Sequence, residues 1–178
     1  SVSVCAVCHP TCYTCNGPFN TNCLSCAPGN NRNLVSSRCD CKTHYYDMSN
    51  TCYVCDYSCE NCTGGLNSQC STCLTSSFRT LTSTTCPCNF GYFDGGVAVC
   101  QPCDYSCTGC VTSSTNCLSC NATNHRTMAG SACPCNAGYV DTLVAMCSSC
   151  HYSCVTCIAT VSTACSTCNA DRSLSGGQ

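Results

Sequence analysis

The sequence predicts a small disulfide-rich fold, an elongated tandem-repeat rod of short β-hairpins and irregular loops with no large hydrophobic core. Three observations predict it. Cysteine supplies 30 of the 178 residues, about 17%; these cysteines recur with a fixed period; and no stretch of about eleven residues or more carries helical apolar spacing. Because 44% of the chain counts as hydrophobic, removing cysteine leaves only about 27% for the other apolar types, and Trp is absent. A chain of this length ordinarily buries one continuous core. With so little Leu, Ile, Val and Phe, its order must come from cross-links.

Cysteine above about 8–10% reads as a disulfide scaffold, and disulfides persist in oxidising compartments. The expected location is therefore extracellular, secreted or on a cell surface. Six Lys and Arg against eight Asp and Glu give a formal charge of −2, and charged residues make up 8% of the chain. This balance offers no basic footprint, which argues against nucleic acid and anionic lipid as partners. No apolar run of about 18 residues is present, so no direct membrane insertion is expected. The chain opens "SVSVC" and reads as a mature segment or a fragment.

The cysteines fall at 5, 8, 12, 15, 23, 26, 39 and 41, then at 52, 55, 59, 62, 70, 73, 86 and 88, then at 100, 103, 107, 110, 117, 120, 133 and 135, and lastly at 147, 150, 154, 157, 165 and 168. Starts at 5, 52, 100 and 147 divide the chain into repeats 5–51, 52–99 and 100–146 and a partial repeat 147–178. Other residues keep the phase. Tyr45, Tyr92 and Tyr139 follow each CxC and precede Asp47, Asp94 and Asp141, while Gly91 and Gly138 sit just before the tyrosine, where they suit a turn of positive φ. Arg32, Arg79, Arg126 and Arg172 are each followed two residues later by Leu34, Leu81, Met128 or Leu174. That step predicts a rung of a short strand, with the arginine stem packed along a disulfide. Alternation is brief, as in "NLVSS" and "FRTLT", which predicts short hairpins whose contacts run mainly between neighbouring repeats.

The sulfurs could in principle hold zinc, carry out redox chemistry or staple the chain. Paired CxxC knuckles make zinc half-sites, but Cys8 and Cys12 leave only a short loop to close a tetrahedron, and His9, His44, His125 and His151 show no constant place. A metallothionein-like cluster would have no use for nine Tyr and four Phe. Redox catalysis needs one CxxC on a helix N-terminus, whereas here CxxC recurs throughout without a helix signal. No nucleophile elbow or HExxH stands out, so neither enzyme nor cofactor is expected, and the histidines read as exposed loop residues. Asp56 and Asp104, each between Cys and Tyr-Ser, suit turn capping better than calcium binding.

"NCT" at Asn61 and "NAT" at Asn121 are N-glycosylation sequons. Cys62 lies within the first, so Asn121 is the better acceptor. "LTSTT" at 81–85 and "VTSST" at 111–115 are candidate O-glycan segments.

The run "CAVCHPTCYTCNGPFNTNCLSC" places Cys8, His9, Pro10, Cys12, Cys15, Gly17, Pro18, Cys23 and Cys26 in a pattern that resembles the furin-like, growth-factor-receptor cysteine-rich repeat. Later repeats keep the cysteines but lose the Gly-Pro. The low-charge tandem with "HYSCVTC" at 151–157 is similar to ciliate many-repeat surface proteins, including immobilisation antigens. Together the resemblance covers nearly the whole chain and implies an extracellular disulfide-linked rod without catalytic residues. It further implies the pairs Cys8–Cys15, Cys12–Cys23, Cys26–Cys39, Cys41–Cys52, Cys55–Cys62, Cys59–Cys70, Cys73–Cys86 and Cys88–Cys100. Continuing, it implies Cys103–Cys110, Cys107–Cys117, Cys120–Cys133, Cys135–Cys147, Cys150–Cys157 and Cys154–Cys165. Side chains two apart on extended chain, as at Cys39 and Cys41, share a face and do not pair with each other, which agrees with one bonding backward and the other forward. "CPCNFGYF" also resembles the end of an epidermal-growth-factor-like module, consistent with Cys88–Cys100. Cys5 and Cys168 remain unpaired within the chain, with partners expected in a preceding and a following repeat or in further copies. The function expected is structural, a stiff, glycosylated rod or fibre of a cell-surface coat or appendage. The alternative is a receptor or adhesin ectodomain that binds a protein ligand. A binding face would show an irregular aromatic or arginine patch, whereas here Tyr and Arg recur with the repeat.

Overall fold

A computed structural model describes residues 5–168 and 170–174. The described chain is a series of short antiparallel hairpins with three 3-10 turns, at Thr75–Ser77, Ala122–Asn124 and Ser162–Ala164, and no α-helix among the described residues. It divides into two compact units. One runs through Pro87 and takes in Gly96–Val99; the other comprises Cys88–Gly95 and the chain from Cys100 onward.

The first unit contains β1 (Cys12–Cys15), β2 (Cys23–Cys26), β3 (Arg32–Val35), β4 (Arg38–Cys41), β5 (Tyr45–Met48), β6 (Thr51–Val54), β7 (Asn61–Cys62) and β8 (Cys70–Thr72), paired in succession as four hairpins. The β3–β4 hairpin closes through Ser36 and Ser37, and β5–β6 through Ser49 and Asn50. All four loop residues have positive φ, the geometry that matches a two-residue loop to the right-handed strand twist.

The second unit contains β9 (Tyr92–Phe93), β10 (Gln101–Pro102), β11 (Cys107–Cys110), β12 (Cys117–Cys120), β13 (Tyr139–Val140), β14 (Ser148–Ser149), β15 (Cys154–Cys157) and β16 (Cys165–Cys168), again paired in succession. The counterparts of the β3–β4 ladder shrink to isolated bridges, Thr82 with Thr85 in the first unit and Arg126 with Cys135 and Ala129 with Ala132 in the second. Gly91 and Gly138 have φ of 85° and 83°, and His44 takes the same place with φ 69°, so the turn before the repeated tyrosine is left-handed in all three repeats.

One hairpin type recurs four times, each built from two CxxC segments: β1–β2, β7–β8, β11–β12 and β15–β16. Each carries a register irregularity inside the first segment. A polar pair crosses the ladder there, Thr14 with Ser25, Asn61 with Thr72, Thr108 with Ser119 and Thr156 with Thr167.

Cysteine forms the core. Every buried apolar residue among those described is a cysteine except Val140, and buried sulfurs cluster as Cys12, Cys23 and Cys39 and as Cys55, Cys59, Cys70 and Cys86. Large apolar side chains such as Val7, Phe90 and Leu143 stay exposed. With so thin an apolar interior, order depends on the cross-links.

The strand expected at each Arg-x-apolar step forms only in the first repeat, as β3. Arg79 and Arg126 instead follow 3-10 turns whose closing residues, Phe78 and His125, are left-handed. Arg32, Arg79 and Arg126 are buried, while Leu34, Leu81 and Met128 are exposed. In all three repeats the guanidinium lies inward, where Nη1 donates to the carbonyl of the cysteine seven residues on.

Candidate functional site

Fourteen disulfides join the sulfurs. In the first unit they are Cys8–Cys15, Cys12–Cys23, Cys26–Cys39, Cys41–Cys52, Cys55–Cys62, Cys59–Cys70 and Cys73–Cys86. In the second they are Cys88–Cys100, Cys103–Cys110, Cys107–Cys117, Cys120–Cys133, Cys135–Cys147, Cys150–Cys157 and Cys154–Cys165. Each closes a loop of 7 to 13 residues. Bridges of that span stabilise mainly by constraining the unfolded chain, up to about 3 kcal/mol apiece. Cys5 is exposed and Cys168 half-buried, and neither has a disulfide partner among the described residues. The sulfurs of Cys107, Cys117 and Cys133 approach one another closely, but all three are in disulfides and present no thiolate to a metal.

Around these staples sits a repeated clamp centred on a buried arginine. Arg126, its side chain 1% exposed, donates from Nη1 to the Cys133 carbonyl, from Nε to Ala145 and from Nη2 to Val144, each at 2.9 Å. Asp141 pairs with it at 3.0 Å, and the Tyr105 ring lies 5.4 Å from the guanidinium carbon. Arg126 donating to the Asp141 carboxylate holds the Asp141 pKa below its ordinary value; the Leu143 amide adds to this, against partial desolvation. Arg79 repeats the arrangement on the carbonyls of Cys86, Ala98 and Val97, with Tyr57 at 5.5 Å. Arg32 donates to the Cys39 carbonyl and pairs with Asp47, both at 2.7 Å. Arg172 lies 5.6 Å from the Tyr152 ring.

A second repeated device caps the turn after each repeat start. Asp56 Oδ1 accepts from the amide and hydroxyl of Ser58, and Asp104 Oδ1 does the same for Ser106. His9 Nδ1 accepts from the Thr11 amide and contacts its hydroxyl; His151 Nδ1 does so with Ser153. In both rings a backbone amide donates to Nδ1, which serves as the acceptor of the turn. Two of the four histidines thus occupy the position that aspartate fills elsewhere, which corrects the reading of scattered, exposed loop residues. His9, His125 and His151 are half-buried and only His44 is exposed. His125 also stacks on Tyr139 at 3.9 Å.

The two sequon asparagines sit in different surroundings. Asn61 belongs to the cross-strand polar pair: its Nδ2, the atom a glycan would take, donates to Thr72 Oγ1 at 2.8 Å, and Cys62 in the same sequon is bonded to Cys55. Asn121 caps the 3-10 turn through Oδ1, which accepts from the Thr123 amide and hydroxyl, leaving Nδ2 without a partner among the described residues. Thr82, Ser83, Thr84, Thr112, Ser113 and Thr115 are exposed. Among the described residues no helix is long and apolar enough to cross a membrane.

No family profile matches the chain, and no solved structure matches it. Among curated proteins, Cysteine repeat modular protein 1 of Tetrahymena thermophila is 59% identical over 29 residues, which are 16% of this chain and 1% of that protein's length. The chain is a cysteine-rich repeat protein of disulfide-linked β-hairpins, similar over that stretch to the Tetrahymena protein.

Proposed function

We infer that the chain is an extracellular structural protein whose repeats form a stiff rod or fibre in a cell-surface coat or appendage, glycosylated at Asn121 and joined to further repeats or copies. The carrying observation is that staples recur within each repeat and from one repeat to the next, around a buried arginine in each of the three complete repeats, so rigidity is built locally and does not require one shared core. Fourteen disulfides fit an oxidising exterior. The furin-like pattern and the short similarity to a Tetrahymena cysteine repeat protein point the same way.

Small-angle scattering with and without reductant tests this. A compact globule of this length would have a radius of gyration of about 16 Å. The oxidised chain should exceed that by half or more with a rod-like cross-section, and reduction should replace the profile with that of a flexible coil, because little apolar interior would oppose chain entropy. A globular profile, or a reduced form that keeps its fold, would sink the reading.

A further inference from the structure

The first repeat builds its clamp with two parts missing. In the other two complete repeats the guanidinium is filled by an adjacent pair of peptide carbonyls, Val97 with Ala98 and Val144 with Ala145, and covered by Tyr57 or Tyr105. Between Cys41 and Cys52 the chain is one residue shorter, with a separation of 11 against 12 for Cys88–Cys100 and Cys135–Cys147. That shorter loop closes on itself as the β5–β6 turn, so no carbonyl pair arrives. The residue in the tyrosine's place is Pro10. Arg32 therefore keeps only Cys39 and Asp47 as acceptors; its Nε–H has none among the described residues, and because no buried side-chain nitrogen or oxygen there lacks a partner, Nε reaches solvent at the edge of an otherwise buried side chain. Beside this arginine a cleft of about 270 Å³ opens, lined by Arg32 with His9, Asn20, Arg38, Asp40 and Asp47.

We propose that this cleft binds a neutral saccharide unit. The Nε–H takes an uncharged carbonyl oxygen in the other two repeats, Ala98 or Ala145, so its geometry suits a neutral acceptor. The charges in the cleft are already balanced, Arg32 by Asp47 at 2.7 Å and Arg38 by Asp40 at 3.3 Å, and an anion would meet two carboxylates. What is left open is mixed: Arg32 Nε–H and the Asn20 amide can donate, while the second oxygen of Asp40 can accept. Hydroxyl groups serve both roles at once, and vicinal hydroxyls on one ring bring several of them together. Apart from Cys39 the lining is polar, so an extended peptide would find no pocket for its side chains. With no aromatic platform in the lining, the affinity belongs in the millimolar range, about −4 kcal/mol at the 1 mM reference point.

The test is an NMR titration of the oxidised, isotope-labelled chain with glucose, galactose, mannose and N-acetylglucosamine, and with glucuronate and N-acetylneuraminate as acidic comparators. At least one neutral sugar should shift the Arg32 Nε–H resonance and the amides of residues 39–50, and bind more tightly than either acid. Pro10→Tyr, which restores the missing cover, should weaken binding at least tenfold, and the exposed-residue variant Asn20→Ala should weaken it severalfold. Spectra of residues 52–174 should be unchanged in both. The proposal is overturned if no neutral sugar shifts these resonances at 50 mM, about fiftyfold above the expected affinity. It is equally overturned if an acidic sugar binds as well, if both variants bind like the parent, or if a capped Gly-Val-Ala peptide shifts Arg32 Nε–H where the sugars do not.

Discussion

Replacing Arg126 by Met keeps a long, unbranched side chain in place and removes every donor of the clamp. The carbonyls of Cys133, Val144 and Ala145 lose their guanidinium partner, at about 1 kcal/mol each on the net scale for such bonds. Losing the Tyr105 ring contact adds about 1 kcal/mol. The Asp141 pair adds about 0.5 kcal/mol, since its carboxylate is 37% exposed and rehydrates. Relief from burying a cation returns about 1 kcal/mol, leaving a net loss of about 3–4 kcal/mol.

Because disulfides hold the chain together in every state, this loss appears as local opening rather than global unfolding. Native-state hydrogen exchange reads it at the Cys147 amide, bonded to the Asn124 carbonyl, and at the Asn136 amide, bonded to the His125 carbonyl. Protection there should fall by two to three decades, while amides of the β15–β16 hairpin lose less than tenfold. Arg126→Lys should recover about half the loss, since an ammonium has three donors but no planar fork. Protection at Cys147 and Asn136 within threefold of the parent in Arg126→Met would show that the guanidinium does not hold this loop.

The Asp141 carboxyl titrates below its ordinary value because Arg126 donates to it. Its contribution is therefore complete above the unfolded carboxylate pKa of about 4 and is lost as pH falls through the lower folded value. Exchange at Cys147, corrected for its intrinsic rate, should accelerate below about pH 4 in the parent and show no such step in Asp141→Asn; an identical step in both would assign it to another group. In native material Asn121 should carry glycan and Asn61 far less, because Asn61 Nδ2 is committed to Thr72 and Cys62 to Cys55. Mass spectrometry before and after glycosidase treatment decides this, and occupancy at Asn61 with Asn121 bare would reverse the ranking.

The disulfide-rich hairpin fold was legible because cysteine period and turn chemistry both lie in local sequence, as at Gly91 and Gly138. The pairing expected from the sequence rested on resemblance rather than on strand register. Register sets Cys12 opposite Cys26, yet the disulfide runs from Cys12 to Cys23, so opposition across the ladder does not by itself assign a bond. The clamp was missed for a physical reason. Arginine is ordinarily a surface residue, and reading Arg32, Arg79 and Arg126 by their neighbours suggested strand rungs packed on disulfides rather than buried donors to loop carbonyls. A signal was present in the fixed interval from Arg32 to Asp47 and from Arg126 to Asp141, in phase with the cysteines. Likewise His9 and His151 stand at the phase of Asp56 and Asp104, which becomes meaningful once an imidazole nitrogen and a carboxylate oxygen are seen as alternative acceptors for one turn.

These repeats satisfy their loop carbonyls in one of two ways, by a ladder or by an arginine. In the third repeat the segment between β13 and β14 forms no hairpin of its own, and the carbonyls of Val144 and Ala145 go to Arg126. In the first repeat the ladder runs on into the corresponding segment, pairing Asp47 with Cys52 and Met48 with Thr51, and Arg32 is left with a free Nε–H. The difference of one residue selects between them, because a two-residue left-handed turn closes a ladder that a longer loop does not keep in register. Replacing Met48–Thr51 by the five residues Gly-Gly-Val-Ala-Val of positions 95–99 should therefore convert the first repeat to the arginine form. The Arg32 Nε–H signal should then exchange at least tenfold more slowly as it gains carbonyl acceptors. The cross-strand contacts of Tyr46 with Tyr53, now 5.9 Å between ring centroids, should weaken in nuclear Overhauser spectra. A grafted chain that keeps the β5–β6 contacts and a fast-exchanging Arg32 Nε–H would show that loop length does not govern the choice.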